Sequence, residues 1–108
     1  MLAIIKKALK NGGYTDISYK NGFMVSLYGV EKKVPIGEAY TKKTMQLLRQ
    51  YRKIAKRYNG SLGLWIEKNT LFIDVSINIV NKAEAIKFGI DNKQLAIYDI
   101  VNDKSINL

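Results

Sequence analysis

Seven cations and no acid fall within Thr41 to Gly60, TKKTMQLLRQYRKIAKRYNG: Lys42, Lys43, Arg49, Arg52, Lys53, Lys56 and Arg57. Such residues attract polyanions, and lysines with flanking arginines suit contact with a phosphate backbone better than the reading of base edges. The chain carries 18 lysines and arginines against 9 acids, a net charge of +9. The stretch supplies +7 of that, leaving +2 for the rest (11 bases against 9 acids). Charge gathered into one segment is the pattern of an electrostatic footprint.

Helical spacing decides how those charges are presented. At about 100° per residue, Thr44, Leu47, Leu48, Tyr51, Ile54, Ala55 and Tyr58 share one third of the circumference, a stripe for the core. The cations spread over the opposite half. A face shaped only by helix stability mixes signs, because like charges three or four residues apart repel by a few tenths of a kcal/mol. Arg49 with Lys53, Arg52 with Lys56 and Lys53 with Arg57 are such pairs, and Lys42 and Lys43 oppose the helix dipole in the first turn. An anionic partner would relieve that repulsion, and nucleic acid, DNA or RNA, is the commonest. An acidic or nucleoprotein surface fits the same charges. A membrane fits worse, because Tyr51 and Ile54 are required for the core.

Two other groupings carry chemistry. Trp65 and Phe72 fall opposite each other on the sheet face away from the core, followed by Asp74, Ser76 and Asn78. Aromatics among polar residues on an open sheet can stack bases, but a cross-strand pair covered by a partner is favoured. With Met24 and Tyr28 they form a candidate protein interface, a homodimer included. Asp74, Asp99 and Glu67 are the strand carboxylates that could meet at a magnesium ion, a third reading as a nuclease. Structural pairing of Asp99 is favoured over catalysis.

The chain has no cysteine and no histidine, which excludes disulfides, thiolate nucleophiles, imidazole catalysis and Cys/His zinc sites. No glycine-rich phosphate loop or nucleophile elbow is present. The expectation is a binding protein, with no enzymatic activity and no cofactor. Lys6, Lys7 and Lys10 interrupt the N-terminal apolar run, so no signal peptide is expected and the location is expected to be cytoplasmic.

These residues must be positioned by a chain of 108 residues, 47% of them hydrophobic, which fits one domain covering 1–108. Residues 2–10 read as a short amphipathic helix stopped at Asn11-Gly12-Gly13. Asn21-Gly22 reads as the turn of a hairpin with a glycine bulge, aligning Ile17 and Tyr19 with Val25 and Phe23. Val30 to Gly37, with the only proline, Pro35, is an edge segment. Leu62, Leu64 and Ile66 alternate onto one face with Leu71, Ile73, Val75, Ile77 and Ile79 across a turn at Lys68-Asn69. Asn81 with Glu84 caps a helix to about Ile90, in which Gly89 allows close packing on the sheet. QLAIYDIV (94–101) is almost continuously apolar and predicts a central strand buried on both faces. Ser105 to Leu108 ends the chain as a short strand. The order α-β-β-(β)-α-β-β-α-β-β defines an α+β domain, a mainly antiparallel sheet built from hairpins with helices on one face.

The GLWI hairpin, the AEAIKFG helix and the NKQLAIYDI strand of the last third are similar to the ends of small uncharacterised proteins from phages and prophages of low-GC Gram-positive bacteria. The resemblance implies a mobile-element context and, with it, the host cell cytoplasm. Small proteins of that context often bind nucleic acid or inhibit host defence enzymes, CRISPR effectors among them. The first expectation is therefore a phage-encoded protein that contacts nucleic acid through the 41–58 face. The alternative is an anti-CRISPR-like protein-protein inhibitor of a host defence nuclease or nucleoprotein complex.

Overall fold

The computed structural model describes residues 1–108. The elements are α1 (Leu2–Asn11), β1 (Gly13–Thr15), β2 (Phe23–Ser26), β3 (Lys32–Pro35), α2 (Lys42–Arg57), β4 (Gly60–Glu67), β5 (Thr70–Ile79), α3 (Lys82–Asp91), β6 (Ala96–Asp99) and β7 (Lys104–Asn107). One antiparallel sheet runs β1-β4-β5-β2-β6-β7, with β3 also on β5. This is the α+β class and the element order expected from the sequence. No helix is long and apolar enough to cross a membrane.

The β4–β5 hairpin is the frame. Trp65 pairs with Phe72 and Glu67 with Thr70, leaving Lys68 and Asn69 as a two-residue turn at φ 49° and 61°. Two consecutive positive φ values match the type I′ turn that suits strand twist. Alternation then sends Leu62, Leu64, Leu71, Ile73 and Val75 into a core with Ile5 and Ala8 of α1 and Leu48, Tyr51 and Ala55 of α2. A smaller cluster of Val25, Ala85 and Ile97 seats α3 on the same face. Gly89 makes that approach possible, because a Cβ there would lie 2.6 Å from Leu108 Cδ1 and 2.9 Å from Ile97 Cγ2.

β5 is the central strand. β4 pairs with Thr70–Ile77 on one side, while the other side is shared by β3 against Thr70–Ile73 and β2 against Ser76–Ile79. Between β2 and β3 the chain leaves the sheet after Leu27, whose N–H still reaches the Val75 carbonyl at 3.1 Å. Asp74 therefore lies opposite an interruption in the sheet.

Three expectations are corrected. No hairpin forms around Asn21-Gly22: β1 pairs with β4, and β2 inserts between β5 and β6. The residues after β1 follow β4 instead, with the Asp16 N–H on the Leu62 carbonyl at 2.9 Å, the Ile17 N–H on Ser61 Oγ at 2.8 Å and the Tyr19 hydroxyl on the Gly60 carbonyl at 2.9 Å. QLAIYDIV is not a central strand: β6 is four residues long, next to the edge, with Leu95 88% and Val101 69% exposed. Tyr58, placed on the core stripe, follows the last helical residue and is 56% exposed.

Candidate nucleic-acid interface

Helix α2 is fixed at its start, middle and end of its inner face. Thr41 caps it, its hydroxyl oxygen accepting the Thr44 N–H at 3.3 Å, while the Thr44 hydroxyl donates to the Glu38 carbonyl at 2.9 Å. Such a cap is worth about 1 kcal/mol. The Tyr51 hydroxyl donates to the Val30 carbonyl at 2.6 Å, tying the helix to the loop between β2 and β3. Thr44, Leu48, Tyr51 and Ala55 are buried, with Leu47 and Ile54 packed against them. The rotation of the helix is thereby set.

Given that rotation, Lys42, Lys43, Arg49, Lys53, Lys56 and Arg57 are all exposed, and none of them is in an ion pair. Gln46 and Gln50 are the polar residues between them. The face holds no acid.

Arg52 stands apart from these six. Its Nε donates to Asp16 Oδ2 at 2.7 Å and its Nη2 to Oδ1 at 2.6 Å, a two-bond fork that clamps the segment after β1 to the helix flank. The Asp16 side chain is only 9% exposed. The Arg52 bonds hold its carboxyl below the usual range, against the opposing effect of burial, and the same bonds raise the guanidinium. The sequence could not show this, since Asp16 is 36 residues away.

Lys32 joins the basic surface: it pairs with Ile73 of the core face, whereas Lys33 pairs with Phe72 and its Nζ lies 5.6 Å from that ring on the opposite face. A cleft of about 520 Å³ runs between β3 and α2, and Lys32, Lys33, Lys43, Gln46 and Gln50 line it beside a single acid, Glu38. The outer edge of β3 is unpaired, and its lysines and Pro35 discourage further strand addition there.

The remaining candidates are separated. Trp65 and Phe72 stack with ring centroids 5.0 Å apart and planes 4° from parallel. They lie on the helix-free face, opposite the basic helix. Met24 shares that face but pairs with Asn78, six residues and roughly 20 Å along β5 from Phe72. Tyr28 belongs to the end of α3: its N–H donates to Asn92 Oδ1 at 3.2 Å and Lys93 Nζ lies 4.6 Å from its ring. The four do not form one patch. Asp74 and Asp99 likewise stand on opposite sheet faces, because Asp99 pairs with Phe23, Phe23 with Ile79, and Ile79 is an odd number of residues from Asp74. The Asp99 carboxylate accepts the Asn102 N–H at 3.2 Å and Nδ2 at 2.8 Å, which lowers its pKa. No group of three potential metal-ligating side chains occurs.

Compared with family models, curated proteins and solved structures, the chain matches none.

Proposed function

We propose that this protein binds nucleic acid along its phosphate backbone, through the exposed face of α2 extended by Lys32. The observation that carries the reading is the set of six exposed cations on α2 without a counter-charge. Arg52 supplies the internal contrast. Where the fold needs a cation on this helix it provides a part-buried carboxylate for it, and it provides none for the other six. Unpaired like charges on one helix repel, and phosphates spaced along a strand relieve that repulsion while releasing counterions.

No aromatic side chain stands among the six cations, and the exposed tyrosines, Tyr40 and Tyr58, lie beyond the two ends of the helix, so the reading rests on contact with phosphates. Fluorescence anisotropy with labelled duplex DNA and RNA tests the reading. Arg49→Glu/Lys53→Glu should weaken the binding that the wild type shows at low salt and reduce its salt dependence, and equal binding by that variant would refute it. An acidic protein surface would read the same six charges. Retention of the target in a pull-down after nuclease digestion identifies that case, and with it the inhibitor reading.

A further inference from the structure

The helix-free face of the sheet holds a separate feature, centred on Asp74. Asp74 is 9% exposed, and it lines an open cavity of about 540 Å³ with Thr15, Ser26, Gly63, Trp65 and Ser76. No cation reaches it: the ion pairs of the chain are Arg52 with Asp16 and Lys87 with Asp91. Its donors are the Ser26 hydroxyl, 3.0 Å from Oδ2, and the Val75 N–H, 2.8 Å from Oδ1. An ionised carboxylate accepts about four hydrogen bonds, so each oxygen keeps an open acceptor position. A buried charge without a counter-ion is costly. Burial accordingly pushes the Asp74 carboxyl above its usual range, with the Ser26 and Val75 bonds opposing and the charge of Glu31 adding to the rise.

The surroundings of the carboxylate select what could neutralise it. Gly63 lies directly across from Asp74 on β4, and a Cβ there would meet nothing within 4 Å, so the sheet is bare beside the acid. Trp65 is the diagonal neighbour. Phe72 covers one flank of its indole, and Lys33 Nζ lies 5.6 Å from the Phe72 ring. On its other flank Trp65 pairs with Gly13, which has no side chain to cover the ring. Open positions on two separate oxygens favour a planar fork over a point charge.

The geometry points to a binding site for a guanidinium group, held by the Asp74 carboxylate above Gly63 and beside Trp65, on the face opposite α2. The site is independent of the phosphate-binding reading. Two sources offer this chemistry, the arginine side chain of a protein partner and a small free guanidine.

Trp65 is the only tryptophan, so its fluorescence reports the site. Methylguanidinium chloride should give a saturable change in the millimolar range, and the neutral isostere N-methylurea should give none. Asp74→Asn should weaken binding by about tenfold or more, the usual loss for a hydrogen bond to a charged group. Gly63→Val, which fills the cavity and leaves the carboxylate in place, should abolish it. Arg49→Glu/Lys53→Glu should bind as the wild type does. A capped Gly-Arg-Gly peptide that binds more tightly than methylguanidinium supports the protein source, and equal affinity supports the small guanidine. No saturable response, or wild-type affinity in both Asp74→Asn and Gly63→Val, overturns the proposal.

Discussion

Arg52 and Asp16 meet edge to edge, Nε on Oδ2 at 2.7 Å and Nη2 on Oδ1 at 2.6 Å. The pair turns one cation of a basic helix into a structural clamp and leaves its neighbours unengaged. Arg52→Ala should therefore destabilise the fold by about 1.5–3 kcal/mol, the range for hydrogen bonds to charged groups. Lys53→Ala, at an exposed position one residue on, should fall within about 0.5 kcal/mol of wild type. Urea denaturation midpoints separate the two.

Two aspartates give opposite pH dependences. The Arg52 bonds depress the Asp16 carboxyl, so the unfolded chain takes up that proton first. The stability from Asp16 is complete above the ordinary value of about 3.9 and drains as pH falls through the native value. The deficit of Arg52→Ala should accordingly shrink in acid. Asp74 is raised by burial, so the native chain takes up its proton first, and stability is lost as pH rises through the native value. Asp74→Asn should be more stable than wild type at neutral pH, by on the order of 1 kcal/mol. That advantage should close as pH falls toward about 4. Thermal melts across pH 3–7 check both signs.

Gly60 and Gly63, three residues apart in β4, should respond differently to alanine. A Cβ on Gly60 would run into the Ser76 carbonyl oxygen of the paired strand, whereas one on Gly63 meets open space. Gly60→Ala should cost about 2–3 kcal/mol through a forced backbone shift. Gly63→Ala should be neutral or stabilising by about 0.5 kcal/mol, since a strand glycine gains from a side chain. Chemical denaturation of the two variants side by side is the measurement.

The Trp65–Phe72 stack should contribute a coupling of about 0.5–1 kcal/mol in a double-mutant cycle to alanine. Its absence would mean that the two rings act only through their separate burial.

The legible parts of this fold were those decided locally. The β4–β5 register followed from strict alternation and the Lys68-Asn69 turn, α2 from its apolar stripe, and the start of α3 from Asn81 three residues before Glu84. Asn21-Gly22 misled because its flanking segments are short. β2 gains two long-range partners by inserting between β5 and β6, more backbone pairing than a local hairpin offers. QLAIYDIV misled because a continuous apolar run does not state how many strands lie beyond it, and only β7 does. Of the candidate site, the charges and their helical face were readable. The engagement of Arg52 and the addition of Lys32 were not, because both depend on which distant segment the sheet brings beside α2.

The central claim is tested most directly by the salt dependence of binding to a labelled DNA duplex, followed by anisotropy as KCl is raised from about 50 mM. About four phosphate contacts predict a slope of log affinity against log salt near −3.5. Arg49→Glu/Lys53→Glu/Arg57→Glu should flatten it by about 2–3, one unit for each lost contact. Asp16→Asn, which releases Arg52, should bind at least as tightly as wild type. No binding at about 50 mM salt, or a slope unchanged by the triple substitution, would contradict the account.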